Sequence, residues 1–217
     1  MSARSIPKNY RNVTGIYASA KSEDAAMFES TLERDFITTL EFDSKVTSFD
    51  VQPVQIEWFD KNGKRRSYTP DILVKRKTRS GEETVLVEVK YRSDLEKDWA
   101  DLKPKLMAGL RYAKQRGWKF KIMTEVEIRT ILLKNAKFLM PFIRRGADRE
   151  GDMTLIDNKL KELRQSTPKA LLEQLAYSDW DKAALLPTLW YLIGTKQIRC
   201  DLYGAQLNMN TPIYWKP

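Results

Sequence analysis

The 217-residue chain predicts a mixed α/β sandwich, a sheet between helices, followed by a smaller helical region that closes on a hairpin. Three observations predict it. Helical and extended patterns alternate through the first part in the order helix, three strands, helix, strand, helix. Carboxylates interrupt the apolar runs of the central strands. Beyond a mixed-charge stretch with two glycines at 144–151, the pattern changes to three short helices and two short strands. The expected division is an N-terminal arm at 1–24, an α/β domain at 25–145 and a second domain at 152–217.

Residues 1–24 are polar and weakly patterned. Over 26–41, Phe28, Leu32, Phe36 and Leu40 recur every four residues, which predicts a helix with one core stripe. Glu29 and Glu33 flank that stripe one turn apart. Either can turn inward towards a metal, or both can be solvated acids pairing with Arg34 or Lys45; periodicity does not choose. Val54, Ile56 and Trp58 alternate within an extended segment at 46–59, and Asn62-Gly63 signals a hairpin turn. The next strand, 65–75, arranges Tyr68, Ile72 and Val74 around Pro70, where proline implies an edge or an irregular point. A turn at 78–82 leads into the strand 85–91. A helix over 95–116 turns Leu102, Leu106, Leu110 and Ala113 inward. The strand 118–124 puts Trp118, Phe120 and Ile122 on one face, and 125–138 is helical again. In the second region, helices are expected at 154–165, at 168–176 behind Pro168, and at 180–195 with Leu185, Leu189, Leu192 and Ile193 as core. Strands at 197–202 and 211–215 flank Gly204, and three small helices with a terminal hairpin is winged-helix organisation.

The chemistry is concentrated in Tyr68-Thr69-Pro70-Asp71 and Val87-Glu88-Val89-Lys90. Residues two apart on a strand share a face, so Glu88 and Lys90 point the same way while Val85, Val87, Val89 and Tyr91 enter the opposite layer. Asp71, Glu88 and Lys90 can then meet at one edge of a sheet. Oxygen ligands suit a hard cation such as Mg²⁺, and a lysine beside it can orient a water or offset charge on a developing phosphorane. The combination reads as a metal-dependent nuclease. Acids on a solvated strand face would show the same letters. Three features weigh against that: adjacent strands, apolar neighbours and a glutamate-bearing helix upstream.

Composition narrows the chemistry further. The chain has no histidine, which excludes a Ser-His-Asp triad, a Cys-His pair and histidine-based zinc or nuclease sites. Its single cysteine, Cys200, excludes an internal disulfide and fits a reducing cytoplasm. No glycine-rich phosphate loop occurs. No run of 18 apolar residues is present and residues 1–8 lack the apolar core of a secretory signal, so neither a membrane span nor export is expected. Net charge is +9, and residues 101–150 carry 13 Lys and Arg against 5 Asp and Glu. That asymmetry points to a polyanionic partner, nucleic acid before others. Residues 151–217 hold 8 basic and 7 acidic groups, so the second region reads as a protein-contact module more than as the main DNA grip.

With those residues in view, the sequence resembles the TnsA family, the endonuclease subunits of heteromeric cut-and-paste transposons of bacteria, including CRISPR-associated types. The marks are Phe28-Glu29-Ser30-Thr31-Leu32-Glu33-Arg34-Asp35-Phe36, Gln52-Pro53, Tyr68-Thr69-Pro70-Asp71, Val87-Glu88-Val89-Lys90, Arg116-Gly117-Trp118-Lys119-Phe120 and Thr124-Glu125. Their order and spacing carry the resemblance, which covers most of the chain.

The resemblance implies a restriction-endonuclease-like, PD-(D/E)xK core that uses Mg²⁺, with Mn²⁺ able to substitute. It implies cleavage of the non-transferred (5′) strand of double-stranded DNA at transposon ends. It places the helix carboxylate at Glu33 rather than Glu29 and carries Asp71, Glu88 and Lys90 over directly. The expected ligands of one Mg²⁺ are Asp71, Glu88 and the Val89 carbonyl, with Glu33 holding a second ion or a water. Lys90 is expected to position the attacking water, its pKa lowered by desolvation so that it can act as a base. Lys103, Lys105 and Arg92 are candidates for the DNA backbone on charge alone. The implied partners are a transposase that cuts and joins the other strand and a regulatory AAA+ ATPase, with a bacterial, nucleoid-associated location. Two rival readings remain: a stand-alone restriction or repair nuclease of the same fold, and a non-catalytic DNA-bound assembly subunit.

Overall fold

The computed structural model describes residues 13–22, 24–147 and 149–217. They fall into two compact units, one ending at Arg129 and the other beginning at Thr130. Most of the expected arm lies outside the described residues. The part of it that is described contains β1 (Gly15–Tyr17), antiparallel to β2 (Ala26–Phe28). Helix α1 (Thr31–Phe42) therefore starts later than the 26–41 pattern predicted. The cause is local: the Ser30 hydroxyl accepts the Glu33 N–H at 3.1 Å and caps the helix, while residues 26–28 pair as a strand. Leu32, Phe36 and Leu40 are buried as expected, and Phe28 is buried from β2 instead.

Strand β3 (Val46–Val51) enters the main sheet. Strands β4 (Ile56–Phe59) and β5 (Arg65–Tyr68) form a separate hairpin with Ile56 opposite Tyr68. Its turn holds Gly63 at φ +72°, and Asp60 accepts the N–H groups of Asn62 and Lys64 at 2.9 and 3.0 Å. The strand expected over 65–75 is thus two strands, because Thr69-Pro70-Asp71 leaves the hairpin and β6 (Ile72–Thr78) starts afresh. Pro70 has no N–H to give to a ladder. Strands β6 and β7 (Gly81–Val89) pair antiparallel, with Ile72 opposite Val87 and Thr78 opposite Gly81.

Helices α2 (Arg92–Lys97) and α3 (Trp99–Gln115) then cross over to β8 (Lys119–Met123), which runs parallel to β7. The sheet order is β3-β6-β7-β8. Strand β7 is buried on both faces from Val85 to Val89. On one face Leu73 and Leu86 pack with Ile56, Tyr68, Ala108 and Ala113, joined by Trp58 and Phe120. Helix α1 contacts β3 and β7. Leu110, expected inward, is 41% exposed; α3 presents Leu106, Gly109 and Ala113 to the sheet instead. A Cβ on Gly109 would lie 2.9 Å from the rings of both Phe120 and Tyr68, so a larger residue would force those rings to move. Helix α4 (Glu125–Ile128) is closed by a capping box between Thr124 and Glu127 and ends the first unit.

The helix expected over 125–138 is therefore interrupted, and α5 (Ile131–Arg145) belongs to the second unit. The division falls at 129/130 and not within 144–151, for a packing reason. Asn135 of α5 is fully buried and holds the carbonyls of Leu202 and Ala205 and the N–H of Leu207 at 2.9–3.0 Å. The unit continues with α6 (Glu150–Leu163), β9 (Gln165–Ser166), α7 (Pro168–Leu175), α8 (Asp179–Gly194), β10 (Arg199–Cys200) and β11 (Ile213–Tyr214). Helix α5 packs on α8, where Gly194 sits against Ile143. Strand β9, whose Gln165 falls in the helix expected over 154–165, pairs antiparallel with β11 and makes the sheet order β10-β11-β9. Among the described residues no helix is long and apolar enough to cross a membrane.

Candidate active site

The register that pairs Ile72 with Val87 carries Asp71 to the ladder position beside Glu88 and Val89. Asp71 Oδ2 accepts the Val89 N–H at 2.6 Å, so the strand that bears the glutamate also fixes the aspartate. Leu73 and Leu86 show that Asp71 and Glu88 share the face covered by α3 and the β4–β5 hairpin. Burial, reinforced by the charge of Glu88, pushes the Asp71 carboxyl up to about 8, against the opposing pull of Lys90 and the Val89 N–H.

Glu88 is 1% exposed. A charge so deep needs partners, and both of its oxygens have them. The Tyr68 hydroxyl donates to Oε2 at 2.5 Å. Lys90 Nζ and Lys105 Nζ each lie 3.3 Å from Oε1. Burial and then the Glu88 charge hold the Tyr68 hydroxyl well above its ordinary pKa, so it stays a donor. Lys105, assigned by charge alone to the DNA backbone, instead reaches Glu88 from α3, with its ammonium 5.3 Å from the centre of the Tyr68 ring.

Lys90 Nζ sits 3.1 Å from the Val89 carbonyl, 3.3 Å from Glu88 Oε1 and 3.7 Å from Asp71 Oδ2. These are the three oxygens expected to bind Mg²⁺, and they converge on one cation, the ammonium. The donor set is all oxygen and carries two formal negative charges, which fits a hard divalent ion. Among the described residues no group of three acidic, histidine or cysteine side chains converges in this way; the third donor is a backbone carbonyl. Burial opposes the Lys90 charge, but Asp71, Glu88 and Glu33 outweigh it and raise its pKa. The expectation of a lowered Lys90 pKa is therefore corrected: its neighbours hold it as a cation.

Glu33 borders this set without joining it. Its Oε2 accepts the Glu29 N–H at 2.8 Å and its Oε1 accepts the Ser30 hydroxyl at 2.8 Å. Burial raises its pKa, offset in part by those hydrogen bonds and by Lys90. Glu29, the alternative on the same helix entry, accepts the Gln52 side-chain amide at 2.9 Å. Gln52 in turn donates its backbone N–H to the Asp71 carbonyl at 2.7 Å from a φ of +48°. That conformation is costly for a residue with a side chain, and here it ties the Asp71 backbone to the start of α1.

A second network braces the same region. Arg129 donates to Asp35 Oδ2 at 3.0 Å, to Thr31 Oγ1 at 3.1 Å and to the Tyr91 hydroxyl at 3.0 Å, joining α1 to the residue after Lys90. Arg92, the first residue of α2, and Lys103, on α3, are both exposed. Tyr68, Gln52 and Arg129 were missing from the sequence-derived site. Tyr68 and Gln52 stand inside the quoted motifs, where adjacency was the available signal. Arg129 had none, since its partners Asp35 and Thr31 are 94 and 98 residues away.

Two family models match the chain. One described as TnsA-like endonuclease N terminal covers residues 43–125, and one described as TnsA endonuclease C terminal covers residues 127–202. The gap between them lies beside the division of the two units at 129/130. No curated protein matches. Matched over 43–202 by the N- and C-terminal halves of one nuclease family, the chain belongs to the TnsA endonucleases.

Proposed function

We propose that this protein is the Mg²⁺-dependent endonuclease subunit of a cut-and-paste transposase, cleaving the non-transferred (5′) strand at transposon ends. The observation that carries the reading is the convergence of Asp71 Oδ2, Glu88 Oε1 and the Val89 carbonyl on a single cation position. The antiparallel-then-parallel sheet between helices supports a restriction-endonuclease-like core. In the second unit, the order that follows α5 (α6, β9, α7, α8, β10, β11), with β11 between β9 and β10, supports a winged helix.

In this reading Asp71, Glu88 and the Val89 carbonyl hold Mg²⁺ or Mn²⁺. When bound, that ion supplies electrophilic polarisation of the scissile phosphate. Lys90, protonated, offsets the charge that builds on the phosphorane and orients the attacking water; it is not the base. Glu33 helps order a water or a second ion at the α1 side. Tyr68 keeps Glu88 aimed, and Arg92 and Lys103 meet the DNA backbone. A transposase that joins the other strand and an AAA+ ATPase complete the assembly.

The test is strand-resolved cleavage of DNA carrying transposon ends, with Mg²⁺, with and without the partner transposase, by wild type and Asp71→Ala. Loss of the 5′-strand cut alone in the variant supports the proposal. Cutting by the wild type without a partner supports a stand-alone nuclease. Identical products from both proteins contradict a catalytic role.

A further inference from the structure

We infer that Lys105 is a positioning residue of the cation site: beside Lys90 it is a second resident counter-ion of Glu88, and a divalent ion binds only by displacing it. The inference rests on reading Asp71 and Glu88 as cation ligands. Glu88 Oε2 is satisfied by Tyr68, so Oε1 is the oxygen left for a metal. That oxygen already faces two ammonium groups at 3.3 Å. Lys90 directly follows the strand that carries Glu88 and also reaches Asp71 and the Val89 carbonyl. Lys105 comes from the opposite wall, from α3, and rests over the face of the Tyr68 ring.

Two separate attractions therefore hold the Lys105 ammonium, a buried carboxylate and an aromatic face. Its side chain is 27% exposed, so the ammonium has a path to solvent when an ion takes its place. A doubly charged ion on Glu88 Oε1 would stand within a few ångströms of this fixed positive charge and be repelled by it. The Lys105 charge stabilises the metal-free site and weakens cation binding. A role confined to helix packing would lower stability without tightening cation binding. A role confined to the DNA backbone would alter neither in the absence of DNA.

The test titrates Mn²⁺ into DNA-free protein, reading the electron paramagnetic signal of the free ion, for wild type, Lys105→Met, Lys105→Gln and Asp71→Asn. Metal-free melting temperatures are measured alongside. Lys105→Gln keeps a donor for Oε1 and guards against a packing defect in Lys105→Met. Both Lys105 variants are expected to bind Mn²⁺ about tenfold more tightly and to melt lower without metal. Unchanged or weaker binding in both folded variants, with Asp71→Asn abolishing it, overturns the Lys105 inference alone. Equal binding by wild type and Asp71→Asn overturns the cation site itself, and this inference with it.

Discussion

The Tyr68 hydroxyl donates a 2.5 Å hydrogen bond to Oε2 of Glu88, joining the last residue of the β4–β5 hairpin to the deepest carboxylate of the sheet. The hairpin is not part of the main ladder, so this bond and the surrounding apolar contacts are what orient it on the site. Tyr68→Phe keeps the ring and strips one partner from a buried charge. The expected cost is roughly 1–3 kcal/mol in urea unfolding without divalent ions. A cost near zero would show that the hydroxyl does not hold Glu88.

Gly109 lets α3 approach Tyr68 and Phe120 closely enough for Lys105 to reach Glu88. Alanine is the better helix former by about 1 kcal/mol. Gly109→Ala is nonetheless expected to destabilise the protein by about 1–3 kcal/mol, because its methyl group meets two packed rings. Greater stability in the variant would mean that the rings yield freely.

Asp71 makes metal-free stability depend on pH. Its folded-state pKa, up to about 8, lies above the ordinary 3.8 of an unfolded aspartate. Between those values the folded protein binds more protons than the unfolded chain, so stability falls as pH rises through that window. The slope approaches about 1.4 kcal/mol per pH unit for a full proton. Thermal melts from pH 4.5 to 8 should show this decline, Asp71→Asn should flatten it, and Mg²⁺ at pH 8 should restore stability to wild type alone. A wild-type slope that survives Asp71→Asn would place the proton elsewhere.

Lys90 acts as a charge in this account. Lys90→Met should lower the cleavage rate by about 10²–10³-fold, as for loss of one transition-state charge partner. Lys90→Arg keeps the charge and should retain more activity than Lys90→Met, with the wild-type shape of the pH–rate profile. A profile that loses a limb in Lys90→Arg would restore lysine as the base.

The strand around Glu88 and the Asp71, Glu88 and Lys90 cluster were legible because period-two alternation and a two-residue spacing report directly on a strand face. The start of α1 was also legible: Ser30-Thr31-Leu32-Glu33 has capping-box spacing, a stronger signal than the Phe28 stripe that led the helix too far upstream. Lys105 was not, because within the basic run of 101–150 nothing local separates a lysine facing a buried glutamate from one facing solvent. Leu110 misled for a related reason: the close packing of α3 favours Gly109 over a larger apolar neighbour. The direction of the Lys90 shift required knowing that three carboxylates surround it, which only the folded arrangement reveals.

The most direct measurement is anomalous diffraction from crystals of the protein soaked in Mn²⁺. One strong peak is expected, bound by Asp71, Glu88 and the Val89 carbonyl, with the Lys90 and Lys105 ammonium groups moved off Glu88 Oε1. Absence of a peak there in Mn²⁺-saturated crystals, or a peak coordinated by other residues, would contradict it.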